Sequence, residues 1–286
     1  MFASLSRSWE FTKLSYGLLR EHKHLTVFPL FSTTAAFLVL ASFVLPLWGL
    51  GLLEEWSATM DGSGEQSQDA AMYITAFLFY FCNYFVIVFF NSALCACVME
   101  ILERGDASVG FGLKFAMRRI HSIFGWALVS AVIGMLLKAL ERNQKAGRFV
   151  AAILGSAWTA MTYFVVPIIV TDGVGPIEAF KRSLKTLKST WGTALMGNFS
   201  MGLIAFLLML PAFALGALLF WFAAQSQSEI LWVVAILATI LMVIASLAAT
   251  STADGIFKAY LYTYATGRSL PDGVDTTEFA EAFRSK

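Results

Sequence analysis

Six stretches of the sequence contain no charged residue, and most are long enough to cross a lipid bilayer as a helix. They are residues 25–53, 70–99, 122–137, 149–171, 191–228 and 230–253. About 20 apolar residues in a helix cross the hydrocarbon core, and backbone groups inside lipid must find their partners within the protein. The chain is 58% hydrophobic and has a mean hydropathy of +0.71. We therefore predict an all-α, polytopic membrane protein with six transmembrane helices.

Three basic segments, residues 1–24, 100–121 and 172–192, carry apolar residues at helical spacing. The clearest follows a turn at Asp172 to Gly175, after which Pro176 suits the first position of a helix. Its apolar stripe, with residues three or four apart, consists of Ile177, Phe180, Leu184, Leu187 and Trp191. A basic amphipathic helix between two apolar spans is expected to lie in the plane of the lipid headgroups.

The order of these segments predicts one integral membrane domain, residues 1–286, built as three hairpins, each preceded by a cytoplasmic interfacial helix. Its parts are an amphipathic helix at 1–24, hairpin one at 25–99, an amphipathic helix with hairpin two at 100–171, an amphipathic helix with hairpin three at 172–253, and a C-terminal cytoplasmic segment at 254–286. Arg7-Ser8 and Lys13 match Arg182-Ser183 and Lys188 at a constant offset of 175. This match favours an internal repeat, which is common in membrane folds.

Two features depart from a regular pattern of spans. The stretch 122–137 has only 16 residues and is a marginal span, and four basic residues follow it within 138–148. Spans three and four could therefore form either an ordinary hairpin or a shallow, re-entrant pair. The stretch 191–228 is longer than one span needs, and we expect Pro211 to break it.

The distribution of basic residues predicts the orientation of the chain. The N-terminal segment, the 100–121 and 172–192 loops and the C-terminal segment contain 16 of the 20 Lys and Arg residues. The positive-inside rule then places both termini in the cytoplasm of a prokaryote, with the chain in the inner membrane. Tyr260, Tyr262 and Tyr264 follow the last span, and we expect them to mark the membrane interface.

Two clusters of cations are predicted to bind anionic lipid headgroups, which are the first expected partners of the chain. The candidate residues are Lys114, Arg118, Arg119, Lys181, Arg182, Lys185 and Lys188. Each basic side chain near an anionic surface contributes about 1 kcal/mol. The alternative is that these cations pair with acids such as Glu178, Glu278 and Glu281.

Several polar residues fall inside the apolar stretches, where they are costly against lipid and should face another helix or a cavity. They are Asn83, Asn91, Asn198, Ser246 and Thr250. Hydrogen bonding between helices is the interpretation we favour, and a transport pathway is the other. Small residues suited to close helix packing occur at 92–97, at Ala152, Ser156 and Ala160, at Ala212 and Gly216, and along 245–253. We expect at least one of these seams to face a neighbouring chain.

The sequence offers no catalytic site, no metal site and no cofactor site. No Asp or Glu lies deep in a span, no nucleophile can be paired with a base, and no phosphate-binding glycine motif is present. His22 and His24 lack an acidic or thiol neighbour at useful spacing, and Cys82, Cys95 and Cys97 are interpreted as small buried residues. The net charge of +1 gives no reason to expect a nucleic-acid partner.

Several short motifs resemble those of a family of uncharacterised six-span integral membrane proteins of bacteria and archaea. These motifs are Arg7-Ser8-Trp9, Phe28-Pro29-Leu30, Val166-Pro167, the run from Gly175 to Ser183, and the run from Leu261 to Ala265 with Gly267, Pro271 and Phe283. The pattern is also similar to the membrane domain of certain glycerophosphodiester phosphodiesterases, in the membrane part only. This resemblance implies a six-helix membrane fold and supplies no activity and no catalytic residues.

These observations favour a non-enzymatic protein of the membrane: a scaffold, an assembly factor or a lipid-organising component. It would bind lipids and form a homo-oligomer or a complex with another membrane protein. A transporter or channel for a small or amphipathic solute is the alternative, which would require the polar residues to share a water-filled cavity.

Overall fold

The computed structural model describes residues 2–54, 56–57, 70–141, 144–226 and 228–267, without the side chains of residues 2–10, 144–146 and 189–200. Every regular element in these ranges is helical. The α-helices are α1 (Phe2–Glu21), α2 (Val27–Gly49), α3 (Ala70–Arg104), α4 (Val109–Arg118), α5 (Ile120–Glu141), α6 (Gln144–Met161), α7 (Val165–Asp172), α8 (Pro176–Ser226) and α9 (Glu229–Ala265), and a 3-10 turn (Lys23–Thr26) joins α1 to α2.

Six helical stretches are long and apolar enough to cross a membrane, which confirms the predicted all-α class and the predicted number of spans. They are Lys23–Gly49, Ala70–Arg104, Ile120–Glu141, Gly147–Asp172, Met201–Ser226 and Glu229–Ala265. The third span has 22 residues, six more than its uncharged stretch. Lys138 lengthens it because its ammonium group pairs with the Glu141 carboxylate at 3.1 Å, one turn further along the helix.

The chain divides into two compact units, one of residues 1–29 with 190–286 and one of residues 30–189. In the second unit α3 is the central helix and contacts α4, α5 and α7. Its stretch Ser92 to Val98 is buried along its whole length, including the free thiols Cys95 and Cys97. The small side chains of this stretch allow close approach of the neighbouring helices, as predicted.

In the unit of residues 1–29 and 190–286, α1 packs against α9. The Phe11 ring is fully buried and makes edge contacts with Phe257 and Tyr264, at centroid distances of 6.1 and 5.9 Å. Tyr260 and Tyr262 are buried as well. They therefore do not form the exposed interfacial belt that the sequence suggested. α9 continues 12 residues beyond its predicted end at Ala253, because this extension carries the face that α1 covers.

Pro211 does not break the fifth span, contrary to the prediction. It lies inside α8, which is helical without interruption over 51 residues. Prolines are tolerated within membrane helices because neighbouring helices and local adjustments satisfy the freed carbonyl groups. The amphipathic segment and the fifth span are consequently parts of one helix and not two separate elements.

Gly216 closes one predicted small-residue seam inside the chain. A Cβ atom at Gly216 would lie 2.9 Å from both Cγ2 and Oγ1 of Thr239 on α9. Thr239 has little room to move, since its hydroxyl donates to the Ala235 carbonyl at 2.7 Å. The α8 and α9 helices therefore approach each other closely at this glycine.

We expect Gly216→Ala to lower the unfolding temperature of the purified protein, because overpacking costs about 1–3 kcal/mol. Gly202→Ala is the matched control, since no atom lies within 4 Å of its Cβ position on the same helix. Alanine is a better helix former than glycine by about 1 kcal/mol, so the control should unfold at the same or a higher temperature. Equal effects of the two substitutions would show that the Gly216 contact is unimportant.

Candidate functional site

The fourth span contains a break that the sequence analysis did not predict. α6 ends at Met161 and α7 begins at Val165, with three turn residues between them. Pro167 explains the break, because it has no N–H and its ring cannot be accommodated by a helical carbonyl at residue 163. The Val165 N–H donates to the Thr162 carbonyl at 3.0 Å, which closes the turn locally.

Ser183, on the amphipathic part of α8, lies in this break. Its hydroxyl accepts a hydrogen bond from the Phe164 N–H at 3.1 Å and donates one to the Met161 carbonyl at 2.7 Å. Ser183 is fully buried. One hydroxyl thus bonds to both sides of the break and attaches α8 to α6 and α7.

The turn from α7 to α8 is present where it was predicted. Gly173 ends α7 in the left-handed conformation, with φ 65°, and its N–H donates to the Ile169 carbonyl at 3.1 Å. The position that a Gly173 Cβ would take is already occupied by the Arg119 guanidinium, at the end of α4. Pro176 packs against α5, with its Cγ 3.2 Å from the Cβ position of Gly125.

Arg182 bridges the two ends of this turn. Its guanidinium donates to the Asp172 carboxylate at 2.7 Å and to the Glu178 carboxylate at 2.9 Å. The hydrogen bonds to Glu178 and Asp172 raise the pKa of Arg182 above its ordinary value. Arg182 was predicted to bind lipid headgroups, but two carboxylates of the protein already hold it, as the alternative interpretation allowed for Glu178.

A column of stacked aromatic rings attaches the amphipathic part of α8 at a further position. Trp158 on α6 stacks on Trp126 of α5 at 5.7 Å and on Phe180 of α8 at 5.5 Å, with interplanar angles of 14° and 23°. Stacked rings contribute beyond the area that they bury. The start of α8 is therefore fixed by ring stacking, by the Ser183 hydroxyl and by the Arg182 ion pairs.

The buried faces of α4 and α8 differ from the predicted apolar stripes. The buried residues are Gly112 and Ala116 on α4, and Ala179, Ser183 and Leu187 on α8. Two larger apolar residues that we had assigned to the stripes, Met117 and Ile177, are 57% and 68% exposed. Small residues occupy the buried faces because they let these helices approach their neighbours closely.

Five of the seven predicted headgroup residues are exposed and make no ion pair within the described part of the chain: Lys114, Arg118, Lys181, Lys185 and Lys188. Arg119 is partly buried, and its guanidinium lies 5.8 Å from the centre of the Phe115 ring. The structure therefore separates five outward cations from two arginines that have contacts within the protein. No sequence signal distinguishes Arg118 from Arg119, because the Gly173 contact is made across more than 50 residues.

The predicted intramembrane polar residues bond mainly to their own helices. Asn83 donates to the Phe79 carbonyl, Ser246 to Met242 and Thr250 to Ser246, all at 2.9 Å. Asn91 is exposed on α3, and the Asn198 side chain lies outside the described residues. The predicted hydrogen bonds between helices are not found for the three described residues with assigned bonds. Of the predicted seam on α6, Ala152 and Ser156 are exposed.

The helices and the junction described above define an all-α, polytopic protein with six helices suited to a membrane, in which a basic helix is fixed to a broken span. The chain belongs to a family of unknown function, DUF6159, whose model matches residues 70–270 and so includes the whole junction. No curated protein and no solved structure matches it.

Proposed function

We propose that this chain is a non-enzymatic integral membrane protein that organises lipids or assembles with other membrane proteins. The observation that carries the proposal is the mounted start of α8, which is fixed on one face and presents Lys181, Lys185 and Lys188 on the other. Three lysines at spacings of three and four residues form one cationic strip. A rigid strip of this kind suits anionic phospholipid headgroups, because little side-chain and backbone order is lost on binding.

The proposal includes a location. The excess of Lys and Arg on one side favours the prokaryotic cytoplasmic membrane with both termini in the cytoplasm, so the α8 strip would meet the inner leaflet. The similarity to the membrane domain of certain glycerophosphodiester phosphodiesterases, and an occurrence in bacteria and archaea, are part of the same proposal. They agree with a role at phospholipid headgroups.

A transporter is the second candidate, and the break at residues 162–164 is the observation that favours it. Broken spans often line substrate sites in transporters. Here, however, Ser183 supplies hydrogen bonds to Phe164 and Met161 that a substrate would otherwise make. This arrangement suits a structural joint better than a solute site.

The lipid proposal predicts that replacing Lys181, Lys185 and Lys188 by Gln weakens the retention of anionic phospholipid during purification. With about 1 kcal/mol from each cation, the association constant should fall on the order of a hundredfold. Quantifying bound phospholipids by mass spectrometry measures the effect. Replacing Lys138 by Gln is a control, since its ammonium group is paired with Glu141.

Unchanged phospholipid content in the triple variant would contradict the lipid role. The same nanodisc preparations test assembly, because their particle mass gives the number of chains. A homo-oligomer, or a complex with another membrane protein, is expected. A strictly monomeric particle with no bound partner would count against assembly and favour the transporter.

A further inference from the structure

Two exposed apolar side chains lie at the junction of α4 and α8, outside all six candidate spans. Met117 precedes the third span, which begins at Ile120, and Ile177 lies far ahead of the fifth, which begins at Met201. They are 57% and 68% exposed. Their exposure is therefore not accounted for by the lipid-facing surface of a spanning helix.

The two side chains belong to one region of the molecule. Met117 lies two residues before Arg119, whose guanidinium occupies the Cβ position of Gly173. Ile177 follows Pro176, which packs against Gly125. Since these contacts hold the end of α4 and the start of α8 to the same turn, both apolar residues lie at a single junction.

Each apolar residue shares a helix face with an exposed lysine. Lys114 lies three residues before Met117, and Lys181 lies four residues after Ile177, spacings that place the pairs on one face. An apolar side chain beside a cation is typical of segments that lie at a bilayer surface, where the apolar group enters the acyl boundary and the cation stays at the phosphates.

We infer that the α4–α8 junction is a shallow membrane anchor, in which Met117 and Ile177 insert into an anionic phospholipid surface while Lys114 and Lys181 contact its phosphates. The inference rests on the proposed lipid role and adds apolar insertion to it. Because Ser183 and Arg182 fix the start of α8 to the fourth span, the anchor would hold that span at a defined depth.

Spin labels test the anchor in the full chain, in nanodiscs of phosphatidylcholine with phosphatidylglycerol. Met117→Cys and Ile177→Cys are labelled separately in a Cys82→Ala background, and Lys185→Cys serves as the outward control. Collision rates with oxygen and with a water-soluble nickel chelate give the depth. Labels at 117 and 177 should lie about 5–10 Å below the phosphates, and the label at 185 should lie at or above them.

Labels at 117 and 177 that collide mainly with the nickel chelate would overturn the inference, because they would be in water. Low collision rates with both reagents would also overturn it, since a protein partner would then cover the junction. Nanodiscs of phosphatidylcholine alone separate the two proposals. Insertion that persists there, with no preference for anionic lipid in purification, supports the anchor and counts against headgroup selectivity. Labels in water despite retained anionic lipid would contradict the anchor alone.

Discussion

Ser183→Ala should lower the thermal stability of the protein substantially, although it removes a single oxygen atom. That oxygen bonds to the Phe164 N–H and the Met161 carbonyl on the two sides of the break in the fourth span. Losing a hydroxyl that serves buried backbone groups costs about 1–3 kcal/mol. We expect a lower unfolding temperature and faster amide hydrogen exchange around residues 161–165.

Ser156→Ala is the matched control for this substitution. Ser156 lies on α6 in the same unit, and its hydroxyl donates at 2.8 Å to the Ala152 carbonyl of its own helix. Because Ser156 is exposed and that carbonyl lies within a helix, its loss should change stability by less than about 0.5 kcal/mol. If both alanine variants unfolded at the same temperature, the Ser183 hydroxyl would have no special role in joining α8 to the break.

The number of spans could be predicted because the bilayer imposes a length and excludes charge over that length. The uncharged stretches therefore fall inside the six apolar helices, with ends that differ by a few residues. The third span exceeded its prediction because Lys138 and Glu141 pair on the helix surface, which lets the helix continue past the uncharged stretch. Such local pairing is a property of side-chain geometry that an uncharged window does not register.

The buried faces of the amphipathic segments could not be predicted from apolar periodicity. That periodicity gives weight to large residues, such as Met117 and Ile177, and assigns them to the buried face. In this protein the buried face is set by the space between helices, which admits Ala116 and Ala179. The break in the fourth span had a signal, Pro167, but nothing in the sequence indicated that Ser183 would fill it.

The candidate site was predicted in its composition and not in its division of roles. All seven cations were recognised as basic residues of the α4 and α8 segments. Arg182 acquires a carboxylate partner ten residues away only because the turn folds Asp172 back towards it. The contact of Arg119 with Gly173 likewise depends on how α4 meets α7, which no local spacing encodes. Whether the other five cations bind lipid remains a prediction that the lysine variants test.

Gly173→Ala should have the largest effect of any single-methyl substitution in the junction, for two separable reasons. An L-residue in the left-handed conformation at φ 65° costs roughly 1–2 kcal/mol. The added methyl group would also overlap the Arg119 guanidinium, which must move away from the end of α7. The unfolding temperature of the variant should fall below that of Ser183→Ala.

Gly105→Ala isolates the first of these two contributions. Gly105 has a similar conformation, with φ 88°, and no atom lies within 4 Å of its Cβ position. The difference between the two alanine variants therefore measures the displacement of Arg119, which we expect to contribute about 1–3 kcal/mol, as overpacking does. In an Arg119→Ala background the two glycine substitutions should become equally destabilising, because the overlap is gone. A gap that persists without the guanidinium would show that Gly173 is required for a reason other than its contact with Arg119.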